Sequence, residues 1–188
     1  MATQAKLSQG EKISIHHEPG RVRPAAPSGT PRAHPGLYER SHGLEAFLKQ
    51  VNEATPMQLV EIERHGVASA FIVDLSERME LPTSRVYAML RIPKATAARK
   101  TSAGEVIDGR AGQSVIGMVK LLGIAKEIVD DSTAAEAANF DVVKWMGQWI
   151  ERPQPSLGGH KPSDLIDTPT GIDMVARLLG ALSSGAYQ

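Results

Sequence analysis

At 188 residues the chain has room for one modest domain or two small ones, and with only 4% aromatics its core must come from Leu, Ile, Val, Met and Ala. A formal net charge of zero leaves nucleic acid to a local patch, and the absence of Cys excludes a disulfide framework or a thiolate metal site. No stretch approaches the roughly 20 apolar residues of a membrane span or resembles a signal peptide, so the chain is expected to be soluble and cytoplasmic, with no membrane partner.

Residues 1–40 read as a flexible arm. Pro19, Pro24, Pro27, Pro31 and Pro35 interrupt it, large apolar residues are scarce, and its charge balance is basic. Such a segment cannot bury enough surface to offset its ordering entropy. His16 and His17 are adjacent, so their side chains diverge, and no third ligand sits nearby. No metal site and no cofactor are expected.

From Ser41 helix signals follow one another. Leu44, Phe47, Leu48 and Val51 mark one apolar helical face. Thr55-Pro56-Met57-Gln58 combines an N-cap, a first-turn proline and a capping-box glutamine, and the helix it starts should end near Gly66. Residues 68–79 form a further helix with Phe71, Ile72, Leu75 and Met79 on one side. Helices are predicted over 83–90 and from Lys94 to about 100, with a break at Arg91-Ile92-Pro93. Beyond a loop containing Gly109 and Gly112, Ser114 opens a long helix striped by Val115, Met118, Leu122, Ala125 and Val129. Thr133-Ala-Ala-Glu136 reads as the cap of a short helical turn, and Asp141 caps a helix that Pro153 terminates. Thr168 or Thr170 caps a last helix whose buried face is Ile172, Val175, Leu178, Leu179 and Leu182, ending at Gly185. No run alternates long enough to predict a strand, so the fold class is all-α.

The spacing over 81–100 is that of a helix-turn-helix. In that arrangement the start of the second helix reaches base edges while nearby cations grip phosphates. Arg85, Lys94, Thr96, Arg99 and Lys100 are the candidate DNA-facing residues, with Arg91 and Arg110 beside them in a basic window. Arg91 stands where a glycine is usual, because the turn needs a left-handed backbone. Tyr87 stands where a small residue is usual. An ordinary helical pair with a solvated basic face is the competing reading.

Further on, Trp145 and Trp149 share a helical face and read as core. Between them and the last helix lies a loop shaped by Pro153, Pro155, Gly158, Gly159 and Pro162. The balance over residues 131–188 is acidic, which suits a protein partner better than DNA. An enzyme is not expected: there is no Cys nucleophile, no HExxH, no phosphate-binding glycine motif, and His65 and His160 lack partners in the sequence.

The order Trp145, Trp149, Pro153-x-Pro155-x-Leu157-Gly158-Gly159-x-x-Pro162, then Leu165, Asp167, Thr168 and Gly171, then Leu178-Leu179-Gly180, Gly185 and Tyr187, resembles the C-terminal toxin-binding domain of Xre/MbcA/ParS-type antitoxins. With the helix pair ahead of it the resemblance extends over about residues 60–188. It implies an Xre-like domain over 41–130 and a ParS-like toxin-binding domain over 131–188. It also implies a RES-domain, NAD-degrading toxin as partner, its active site occluded by the antitoxin's C-terminal domain. Operator DNA is the second implied partner, with autorepression of the shared operon, and homodimers and larger assemblies with toxin are implied too. Carried over, Leu157, Gly158, Gly159, His160, Lys161 and Pro162 shape the docking loop, while Leu179, Leu182, Tyr187 and Gln188 approach the toxin. The rival expectation is a stand-alone transcription regulator whose C-terminal domain only dimerises.

Overall fold

The computed structural model describes residues 38–133 and 135–183, and these form an all-α structure. Helix α1 (Gly43–Asn52) buries Leu44, Phe47, Leu48 and Val51, the four residues of the expected stripe. Helix α2 (Pro56–His65) starts on a complete capping box, with Thr55 and Gln58 each bonding the other's backbone N–H, and stops at Gly66. Helix α3 (Ser69–Arg78) turns Phe71, Ile72 and Leu75 inward. Helices α4 (Thr83–Met89) and α5 (Lys94–Ala103) follow, with the short break between them where it is predicted.

Two features depart from the sequence-based expectation. Val67–Ala68 (β1) and Val106–Ile107 (β2) pair as a two-residue antiparallel bridge where no strand is predicted. The long helix α6 (Gly109–Asp130) begins five residues before Ser114. Gly112 therefore lies inside the helix. A Cβ there would come within 2.8 Å of the Ile107 carbonyl oxygen, so the glycine lets α6 start directly against β2.

Helix α6 is the axis of the molecule. Val115, Ile116, Met118, Val119 and Leu121 on it are fully buried, because other helices cover it from several sides. The expected stripe is thus only part of its buried surface. A 3-10 turn (Ala135–Asn139) follows, though the capping box predicted there rests on the side chain of Glu136, which lies outside what is described. Helix α7 (Val142–Trp149) is capped by Asp141, whose carboxylate accepts from the Lys144 backbone N–H at 3.0 Å. Two further 3-10 turns, Pro155–Leu157 and Pro162–Asp164, bracket the proline–glycine loop. Helix α8 (Pro169–Ser183) closes the fold and packs along α6. Of its two candidate caps it is Thr168 that serves, accepting from the Gly171 N–H at 3.1 Å.

Tyr38, upstream of the expected start at Ser41, belongs to the core. Tyr38 is 6% exposed, and its ring meets Phe47 and Phe71 edge-on at 5.6 and 5.3 Å. Its hydroxyl donates to Asp74, which also takes two bonds from Arg40. Tyr38→Ala should therefore cost about 2 kcal/mol of stability, read as a lower urea midpoint. An unchanged midpoint would mean that residue 38 is dispensable. His16, His17 and the rest of 1–37 lie outside the described residues, as do Gly185, Tyr187 and Gln188.

Candidate functional site

The helix pair and the C-terminal loop are built against each other. Arg91 opens the break between α4 and α5 with φ +53°, the left-handed conformation that a helix-turn-helix break needs although the residue is not glycine. Tyr87 lies beside the break on α4. It is half-buried, and its hydroxyl reaches across to the Thr101 hydroxyl at 2.7 Å.

The cations of this region are mostly engaged. Arg85 places Nε and Nη2 on the two oxygens of Glu151 at 2.7 and 3.0 Å, and Nη2 also donates to the Ser163 hydroxyl at 3.0 Å. Arg91 meets Asp167 at 3.2 Å. Arg99 sets one nitrogen against both oxygens of Glu105, at 2.7 and 2.8 Å. Lys100 is only 14% exposed; its ammonium donates to the Val106 carbonyl at 2.6 Å and to Asp108 at 3.0 Å. That bond, acting against the burial of Asp108, holds the Asp108 carboxyl below its ordinary pKa. Lys94 is exposed, with no ion pair among the described residues, and Thr96 is half-buried on the same helix. Of the five residues expected to face DNA, Lys94, Thr96 and Arg99 keep a solvent-facing position, whereas Arg85 and Lys100 are tied into the protein.

The docking loop is a closed hydrogen-bonded unit. Gln154 N–H donates to the His160 carbonyl, and Gly159 N–H donates back to the Gln154 carbonyl, both at 3.0 Å. Gly158 and Gly159 have φ +64° and +83°, so the loop needs both glycines to reverse. Leu157 and Pro162 are buried and hold its underside, while Gly158, Gly159 and His160 are exposed at its tip. Lys161 turns back, its ammonium 3.3 Å from Glu151. Burial pushes the Glu151 carboxyl upward, but the hydrogen bonds and charges of Arg85 and Lys161 outweigh it and hold its pKa below the ordinary carboxylate range. Glu151 and Ser163 belong to no motif in the sequence and Asp167 only to the family resemblance, and only the fold shows that they receive the arginines.

The last-helix candidates form a second surface. Leu179 is fully buried, and Leu182 is 36% exposed. Together with Ala125, Ile128, Phe140 and Trp145 they line an apolar groove of about 200 Å³. Phe140, 42% exposed, is a wall that the sequence reading misses, although a large apolar residue between two caps is the signal that could have found it. The tryptophans divide. Trp149 is 6% exposed in the core, and Trp145 stacks on it at 5.6 Å with its outer side on the groove. Among the described residues no cluster of His, Asp and Glu has the makings of a metal site, and no helix is long and apolar enough to cross a membrane.

Residues 134–185 match the antitoxin Xre/MbcA/ParS C-terminal toxin-binding domain. Over 139 residues the chain is 28% identical to a protein of Sphingobium sp. (strain YBL2) named Prs ADP-ribosylating antitoxin, covering 74% of this chain and 86% of that one.

Proposed function

We propose that this chain is an Xre/MbcA/ParS-type antitoxin that neutralises a RES-domain toxin acting on NAD and represses its own operon. The observation that carries the toxin reading is the match of 134–185, which contains the docking loop and four groove-lining residues, Phe140, Trp145, Leu179 and Leu182. The loop offers shape and backbone polarity at a rigid tip. The groove offers desolvated area with two exposed anchors, Phe140 and Leu182, of the kind that contributes most to protein association. In this reading Tyr187 enters the toxin cleft, where it supplies area at low entropy cost. The relative's name speaks of ADP-ribosylation, whereas RES toxins degrade NAD. Both reactions break the bond between nicotinamide and ribose and differ in whether water or a nucleophile on a target receives the ADP-ribosyl group. The antitoxin itself acts by binding and occlusion, not by catalysis.

DNA binding is the second half of the proposal. Its support is the left-handed break at Arg91 and the exposed start of α5 at Lys94. Lys94, Thr96 and Arg99 are the residues we assign to it. With the pairing of the other cations, the electrostatic contribution rests on few contacts, so the affinity depends weakly on salt.

Co-expression with the RES-domain gene of the same operon tests both halves. The full chain should rescue growth and co-purify with the toxin. Removing residues 186–188 should lose rescue while operator binding persists. Lys94→Ala with Arg99→Ala should do the reverse and flatten the salt dependence of a gel shift by about one to two counterions. Full rescue by the truncated chain would rule out occlusion by the tail. An unaltered salt slope would count against α5 as the reading helix.

A further inference from the structure

We propose that Arg85, on the first helix of the pair, is a positioning residue for the docking loop. The inference rests on reading residues 157–162 as partner-facing, and it concerns what holds that loop in place. The bonds within the loop, between Gln154, Gly159 and His160, fix its shape but not where it sits on the protein. Its position depends on the two stems, Glu151 before it and Ser163 after it. One guanidinium joins both. Nε and Nη2 of Arg85 occupy the two oxygens of Glu151, while Nη2 also donates to the Ser163 hydroxyl. Ser163 is 3% exposed, and its own N–H is bonded to the Ile150 carbonyl, so the second stem is already ordered where the arginine meets it. Lys161, the loop's cation, shares the same Glu151 carboxylate.

The geometry calls for arginine in particular. A planar fork meets both carboxylate oxygens with two parallel donors and keeps a further N–H for the hydroxyl, whereas a lysine ammonium lacks the fixed fork that matches the carboxylate. The side chains of Arg85 and Glu151 remain 35% and 22% exposed, so the pair adds modestly to global stability. Its effect falls on the loop. Arg85 also lies far upstream of residues 134–185, so the toxin-binding domain borrows the residue that sets its docking loop from the helix pair. Arg91, at the left-handed break, makes a parallel link to Asp167 beyond the loop.

Amide hydrogen exchange on the full chain decides this without a partner. In Arg85→Ala the Gln154 and Ser163 amides should exchange about tenfold faster, while amides in the middle of α6 keep their protection. Arg85→Lys, which retains the charge and the fold, should fall between wild type and alanine. Unchanged loop exchange in both variants would overturn the proposal, as would a uniform loss of protection that includes α6. If the alanine variant does not fold, the lysine variant decides alone by the same comparison. The affinity of each variant for the co-purified RES-domain toxin should fall in the same order as the loop loosens. A loosened loop with undiminished affinity would overturn the claim that its position serves docking. Failure of the wild-type chain to capture the toxin is a different result, and it would sink the antitoxin reading itself.

Discussion

Gly147→Ala should destabilise the protein by about 2 kcal/mol, a fall of roughly 4–8 °C in melting temperature for a chain of this size. In an exposed helix the same change would stabilise by up to about 1 kcal/mol, because alanine is the better helix former. The sign reverses here because Gly147 is buried where α7 crosses the end of α3. A Cβ at that position would overlap the Met79 carbonyl oxygen and lie 2.9 Å from the Met79 carbonyl carbon. The obstacle is backbone, so no rotamer change relieves it. Nor can the chain beyond Met79 easily give way. Glu80 sits in the left-handed region at φ +54°, and Lys144 and Asp141 pair with Glu80 and Arg78 across the same junction. Gly180→Ala supplies the control, since it is exposed on α8 with open space around a Cβ, and it should hold or raise the urea midpoint. If Gly147→Ala were as stable as wild type, α7 could not be packed this closely on α3.

The contrast between these glycines shows what a sequence can and cannot disclose. Local signals were readable. The Thr55–Gln58 capping box lies within one turn, so its residue types determine it. The left-handed backbone at Arg91 is the one the helix-turn-helix spacing needs, although the residue itself counted as a departure from that pattern. Features that depend on a distant partner were hidden. Gly109 and Gly112 look like a loop until β2 supplies the carbonyl against which α6 begins. A two-residue bridge between Val67–Ala68 and Val106–Ile107 has no periodicity to detect. The basic window around α5 was overcounted for the same reason: Glu151 and Asp167, which take up Arg85 and Arg91, are 66 and 76 positions further along the chain. The candidate loop, in contrast, was legible almost residue by residue, because its proline and glycine positions are fixed by backbone geometry.

The paired tryptophans should separate stability from binding. Trp149→Ala removes a side chain only 6% exposed and leaves a cavity in the core, so a cost of about 3–5 kcal/mol is expected. A loss of that size is a large share of the stability of a small domain, and partner binding would fail with it. Trp145→Ala should behave differently. Its ring is half-buried, stacked on Trp149 on one side and facing the groove with Phe140 and Leu182 on the other. Truncation should cost only about 1–2 kcal/mol of folding stability. The same truncation removes a wall from a surface proposed to contact the toxin, and a central aromatic anchor there is worth about 2 kcal/mol or more of affinity. Urea denaturation and toxin titration on the two variants therefore rank them in opposite ways. Trp149→Ala melts first, whereas Trp145→Ala stays folded and binds at least tenfold more weakly. A folded Trp145→Ala variant with wild-type affinity would remove the groove from the interface and leave the loop as the docking surface.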